Sequence, residues 1–199
     1  MYSILGCGGH ARSILDIILF NNKREQCIFI DNNAKENEKI MGFDVYKKMP
    51  NKIEKNIFFI GIGDNLKRKK IALKYKKIKY CNIISKDAYI GYDSNMGFGN
   101  LLAHKAYIGP CVCIGNHNII NTNAVIEHEC KIGDFCHIGP NSAISGRCSL
   151  GNNVFLGVGA TVIDKIKIVD NVIIGAGAVV VNDILESGIY IGVPAKKLR

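Results

Sequence analysis

The chain has 199 residues, 48% of them hydrophobic, which is enough apolar material to bury a core in one or two domains. No apolar run reaches the roughly 18 residues needed to span a bilayer. Residues 1–6 also lack the basic-then-apolar pattern of a signal peptide, so a cytoplasmic protein without a membrane span is expected. The net charge of +9 is uneven: residues 1–82 hold 17 Lys+Arg and 8 Asp+Glu, whereas residues 83–199 hold 9 of each. Such a field attracts polyanions. No aromatic residues interleave with the lysines to stack bases, so a phosphorylated small molecule is expected as partner and nucleic acid is not.

In chain order, residues 2–5 read as a short apolar strand that runs into Gly6-Cys7-Gly8-Gly9-His10-Ala11. A helix follows, with Ile14, Leu15, Ile18 and Leu19 on one face. Residues 27–30 form a second strand ending in Asp31-Asn32-Asn33, and 34–56 read as a polar, Lys-rich irregular or edge segment. A third strand at 57–60 leads through Gly61-Ile62-Gly63-Asp64-Asn65 into a basic helix over 66–77. Strands and helices alternating at this size predict a small Rossmann-like parallel α/β domain, residues 1–82.

The turn Gly6-x-Gly8-x-x-Ala11, with Asp31 twenty residues on, matches a dinucleotide fingerprint. Its physical content is a backbone that can approach a phosphate closely at a helix N-terminus. About 80 residues hold only half of a doubly wound sheet, so a mononucleotide-sized ligand fits better than NAD. A tight turn with no ligand is the alternative.

From residue 84 to residue 180 a large aliphatic residue or Met recurs every six positions, seventeen times without a slip. The next residue is Gly in nine of the seventeen, and four places along sits a mostly small residue such as Ala106, Ala124, Cys130, Cys136, Ser142 or Cys148. Six matches neither a helix period nor strand alternation. A fixed short repeat means units that bury their apolar faces only by stacking. Residues 83–199 are therefore expected to form one stacked domain, with no Pro/Gly linker before it, so that the two halves dock rigidly. Cys130, Cys136 and Cys148 are expected as buried small hydrophobes, and Cys111-x-Cys113 lacks the spacing of a redox or zinc site.

Charge enters the repeat at residues 121–130, where Glu127 and Glu129 flank His128; His137 follows nine residues later. A histidine beside a carboxylate suits general-base chemistry, and a surface histidine among solvated carboxylates is the plainer alternative. The histidines show no convergent zinc spacing, so no metal is expected.

The six-residue period resembles that of the hexapeptide-repeat proteins, which wind as a left-handed parallel β-helix with three hexads per coil; the resemblance implies that fold for 83–199, in five to six coils. On such a coil nine residues are half a turn, so His128 and His137 fall on different faces. More specifically, Gly6–His10, Ile30-Asp31, Gly63-Asp64-Asn65 with Arg68, the block Val125-Ile126-Glu127-His128-Glu129-Cys130 and Gly192–Lys196 resemble the bacterial sugar-nucleotide acetyltransferases of the hexapeptide class. Nearest are the UDP-4-amino-sugar N-acetyltransferases of bacillosamine synthesis, and next the sialic acid O-acetyltransferases.

The resemblance implies His128 as general base and Glu129 as its orienting carboxylate. It implies His137 and the Gly146 backbone near the thioester of acetyl-CoA, with Val158 and Ala176 along the coenzyme groove. It further implies that Gly8, Gly9, His10, Asp31, Asn32, Gly63, Asp64, Asn65 and Arg68 hold a nucleotide sugar, in a homotrimer with sites between subunits. Asn32 stands where a second acidic residue is sometimes found, which bears on the base and sugar preference. The expected function is acetyl-CoA-dependent N-acetylation of a nucleotide-linked 4-amino-4,6-dideoxy sugar, UDP preferred, for bacterial glycan or glycoprotein synthesis. The alternatives are a GDP-amino-sugar substrate, O-acetylation of a sialic-acid-like sugar, or a trimeric nucleotide-sensing scaffold without catalysis. A scaffold would have no use for the His128–Glu129 pair.

Overall fold

The computed structural model describes residues 1–22, 25–50 and 56–198. Strands β1 (Tyr2–Leu5), β2 (Cys27–Ile30), β3 (Lys39–Ile40), β4 (Phe43–Tyr46) and β5 (Ile57–Ile60) form one sheet in the order β3-β4-β2-β1-β5. The central strand β1 pairs in parallel with both β2 and β5. Helix α1 (Gly9–Asn21) buries Ala11, Ile14, Leu15, Ile17 and Ile18, the 3.6-period face of its sequence. Helix α2 (Asn65–Lys74) starts at Asp64, whose carboxylate accepts from the Lys67 N–H. It ends three residues before the expected boundary, because the chain after Tyr75 turns and Ile78 N–H bonds the Tyr75 carbonyl.

The segment 34–50 forms the edge of the sheet, one of the two readings expected for 34–56. It contains the antiparallel pair β3–β4, and β4 extends the sheet in parallel beside β2. The signal was faint because only Val45 of β4 is fully buried, and the turn is Met41-Gly42, both at positive φ, rather than an Asn-Gly pair. Residues 51–55 of the basic run at 47–55 lie outside the described residues.

From β6 (Ile83–Ile84) to β22 (Val179–Val180), seventeen strands of two or three residues recur every six positions. Register steps by 18: Tyr107 lies beside Val125, Val125 beside Ala143, and Ala143 beside Thr161. Three hexads therefore make one coil, and seventeen strands give between five and six coils, stacked as three parallel sheets. The second residue of each strand points inward, as at Ile108, Ile126, Ile138, Ile144 and Leu156, all fully buried. The frequent glycine after it has a steric cause. A Cβ on Gly133 would stand 2.7 Å from the Gly151 carbonyl carbon one coil on, and other glycines of the series meet the next backbone as closely. From Asp93 to Gly177 every sixth residue has positive φ, which turns each corner. β23 (Gly188–Ile191) and the antiparallel β24 (Lys196–Lys197) close the end. Cys130, Cys136 and Cys148 lie in the core, and all eight cysteines are free.

The α/β unit packs on the sheet whose outward residues are Leu101, Ile119, His137, Phe155 and Ile173. Arg68 of α2 fastens it. This side chain is 1% exposed, and its guanidinium donates to the carbonyls of Ile62, Gly63, His117, Phe135 and Cys136 and to Asn65 Oδ1. At the other end, Asn21 bonds the Ile84 carbonyl and the Lys86 N–H, while His104 lies between Asp16 and Asp87.

The interface buries three imidazoles. Desolvation first, then the charges of His137 and Arg68, lowers the pKa of His10 to about 3. Desolvation, followed by the Arg68 charge, lowers His117 and His137 to about 4 each. In the unfolded chain all three titrate near 6.5. Below that pH the unfolded state binds protons that the folded state refuses, so stability is full above about 6.5 and declines as pH falls towards 4. Urea midpoints measured from pH 7.5 to 4.5 are expected to fall steadily below pH 6.5. A constant midpoint over that range would contradict the burial of these rings.

Candidate active site

His128 occupies the corner between the strands Val125–Ile126 and Lys131–Ile132. Glu129 follows in the left-handed conformation, φ 60°, and this brings its carboxylate back to the imidazole, Nδ1 to Oε2 at 3.0 Å. A carboxylate only accepts, so Nδ1 carries the hydrogen and Nε2 keeps its lone pair. Both side chains are about half exposed, 42% and 57%, so the base is open to a reactant. Directly along the stack, 18 residues on, lies Gly146. A Cβ there would come 2.5 Å from His128 Cε1 and Nε2, so only glycine leaves room for the ring. The Gly146 N–H has no hydrogen-bond partner among the described residues.

His137 sits half a turn away, under the α/β unit rather than beside His128. Its Nδ1 faces the Gly63 carbonyl at 3.2 Å and its Nε2 faces Asn121 Nδ2 at 3.0 Å. The carbonyl fixes the hydrogen on Nδ1, and both nitrogens are engaged. Within one protomer His137 therefore does not meet His128 or Gly146, the partners expected to share the thioester with it. It lines a cleft of about 520 Å³ with Gly63, Asp64, Asn65, Phe155 and Ile173. Val158 and Ala176 lie one above the other on a third line of corners, both exposed.

The residues expected to hold substrate divide into three groups. Asp31 and Asn32 line a cavity of about 320 Å³ at the carboxyl ends of β1, β2 and β5, where strand order reverses around β1. Asp31 accepts from the N–H groups of Cys7 and Asn33. Gly8, Gly9 and His10 open helix α1 beside Gly63, and a Cβ on Gly8 or Gly9 would meet nothing within 4 Å. His10 Nε2 is buried without a partner. Asn65 and Arg68 are corrections. Asn65 binds the Val154 carbonyl and Arg68, and Arg68 is saturated by carbonyls, so both join the two units and neither offers a group to substrate.

Sequence reasoning missed Lys67, Lys70, Lys74 and Tyr75, which line the same cavity as Asp31. Their signal was present: a spacing of three and four puts the lysines on one face of α2. No group of three or more His, Cys, Asp or Glu side chains among the described residues is placed to hold a metal.

Residues 3–75 match the family model for the PglD N-terminal domain, and residues 114–146 match that for bacterial transferase hexapeptides (six repeats). Among solved structures, a histidine-to-asparagine variant of perosamine N-acetyltransferase from Caulobacter crescentus, in complex with CoA and GDP-perosamine, is 32% identical. It has a TM-score of 0.90 over 100% of this chain and 96% of that one. The acetyltransferase domain of PglB from Neisseria gonorrhoeae FA1090, in complex with acetyl coenzyme A, is 25% identical with a TM-score of 0.89, over 99% and 98% of the two chains. WeeI from Acinetobacter baumannii AYE shares the fold at 20% identity and a TM-score of 0.86, over 100% and 99%. A curated relative, the uncharacterized protein L142 of Acanthamoeba polyphaga mimivirus, is 38% identical over 102 residues, which is 50% of this chain but only 20% of that protein. With a left-handed β-helix behind a PglD-type α/β domain, this chain belongs to the bacterial hexapeptide-repeat sugar N-acetyltransferases, a family of acetyl-CoA-dependent acyltransferases.

Proposed function

We propose that this protein transfers the acetyl group of acetyl-CoA to the amine of a nucleotide-linked 4-amino-4,6-dideoxy sugar. The observation that carries the reading is the His128–Glu129 pair seated over Gly146. The amine attacks as its neutral form while His128 Nε2 takes the proton that it loses. Glu129 holds the tautomer and stabilises the imidazolium, and the free Gly146 N–H is a donor for the developing oxyanion. Coenzyme A then leaves as the thiol, with the proton returned from His128.

The nucleotide is assigned to the cavity at the strand ends. Lys67, Lys70 and Lys74 face the diphosphate, Asp31 accepts from a ribose or base donor, and the exposed N–H groups at the start of α1 provide a second anion site. UDP is the first reading for the nucleotide, on the likeness to the UDP-4-amino-sugar N-acetyltransferases. The GDP-perosamine held by the Caulobacter enzyme favours GDP as a second reading.

A homotrimer completes the site. The sheet face with outward residues Tyr107, Val125, Ala143, Thr161 and Val179 carries no charge, whereas the neighbouring face bears Lys131 and Lys167. The uncharged face runs between the His128 corner and the Val158–Ala176 corner. Packing it around a threefold axis brings the base of one subunit to the coenzyme groove of the next.

His128→Ala is expected to lower kcat about 10²–10⁴-fold with little change in acetyl-CoA affinity, and Glu129→Ala to cost less. Gly146→Ala should cost as much as losing the base, by displacing the ring. Retention of half the wild-type turnover by His128→Ala would remove His128 from this role. In calorimetry, Gly8→Val and Lys70→Glu should each weaken binding of a UDP-sugar at least tenfold and spare acetyl-CoA, while NAD should not bind. Tight NAD binding, or indifference to both substitutions, would place the nucleotide elsewhere. Light scattering should give three times the chain mass, and Ala143→Glu should yield an inactive monomer. A wild-type monomer at micromolar concentration would sink the shared site.

A further inference from the structure

A second cavity, of about 470 Å³, has no part in the reaction above. It lies on the other side of α2 from the nucleotide cavity: Lys67, Lys70 and Lys74 face one, whereas Ala72 and Leu73, with Lys76 of the turn that follows, face the other. Its far wall is the line of coil corners at Phe98, His117 and Phe135, and Tyr80 closes it behind. The volume is that of a small-molecule site.

The wall is built of rings. His117 stacks on Phe135 at 5.1 Å and 10°, and it meets the edges of Tyr80 at 4.7 Å and Phe98 at 5.3 Å. His117 is 4% exposed and makes no side-chain hydrogen bond among the described residues, so a buried polar ring without a partner forms the floor. Phe98 and Leu73 border the mouth and are left 51% and 63% exposed. The polar lining is divided by sign. Lys76 and Lys79 stand on the α2 side, and Asp134 stands on the coil side, its Oδ1 already accepting from Asn116.

We propose that this cavity is a second ligand site that takes a nucleoside monophosphate. A planar base can lie on the exposed ring of Phe98 at the mouth, with the packed rings of His117, Phe135 and Tyr80 behind it. Its ring N–H donors match the carboxylate of Asp134, and its phosphate matches Lys76 and Lys79. A purely apolar ligand would leave both charges unmatched, and a bare phosphate would leave the rings unused. The site also touches the catalytic half of the molecule: the carbonyls of His117 and Phe135 are held by Arg68, which holds the Gly63 carbonyl with the same guanidinium.

The test is calorimetry of the full chain with UMP, in a Gly8→Val, Lys70→Glu background in which the first cavity is weakened twice over. One UMP per chain is expected to bind there, and adding Phe98→Ala or Lys79→Glu should weaken it at least tenfold. Both positions are exposed, and thermal melts establish that each variant is folded; Lys79→Glu carries the test alone if Phe98→Ala is not. Uridine and inorganic phosphate, titrated separately, should each bind at least tenfold more weakly than UMP. The proposal is overturned if the Gly8→Val, Lys70→Glu protein binds no UMP, if the two further substitutions leave binding unchanged, or if phosphate alone binds as tightly as UMP. Because Phe98 and Lys79 lie outside the first cavity, none of these outcomes depends on what that cavity holds.

Discussion

The stacking of one coil's backbone directly on the next, 18 residues apart in sequence, is the constraint on which the active site rests. At nine of the seventeen places where a strand ends over the next coil the residue is glycine, and a Cβ on most of these would meet the neighbouring coil's backbone. The same contact positions the chemistry. His128 lies over Gly146 because the two occupy equivalent places on consecutive coils, and the ring fills the space a side chain at 146 would take. The left-handed φ that turns every corner also directs Glu129 back onto the ring. A base on a flexible loop would need packing of its own to hold its tautomer; here the repeat supplies it.

The second constraint is the buried guanidinium of Arg68. It has no carboxylate partner among the described residues and is satisfied by five carbonyls and one amide oxygen drawn from both halves of the chain. A buried cation of this kind is costly unless every donor is matched, so the two halves fit in one arrangement only. That arrangement places the Gly63 carbonyl on His137 and fixes its tautomer. The charge also helps to keep His10, His117 and His137 neutral, which is why the interface is sensitive to acid.

The basic excess of the first 82 residues has a local consequence as well as a long-range one. Helix α2 has no acidic residue in its first turn and lies between two concavities, its own lysines facing one and Lys76 and Lys79 of the segment after it facing the other. The helix and the turn that follows it thus set the charge of two separate cavities, and Arg68 holds them against the coils.

The sequence by itself determined a domain of stacked six-residue units, because the period is local and repeats seventeen times, and the likeness to hexapeptide-repeat proteins implied the β-helix. It also determined the parallel α/β unit, and it singled out His128 and Glu129 as a charged interruption of a bland repeat. Whatever depended on contacts between distant segments was invisible. Arg68 and Asn65 look like ligand-binding residues beside Gly63-Asp64, yet besides near neighbours they bond carbonyls 49 to 89 residues away. That His128 and His137 fall on different faces followed from the coil period, but that His137 lies beneath the other unit with its Nδ1 on the Gly63 carbonyl did not. Strand β4 was not told apart from an irregular segment because it buries one residue and gains its place by pairing with β2 and β3. Periodicity is written along the chain, whereas burial and hydrogen-bond partners are properties of the folded arrangement, and only the tertiary structure decides them.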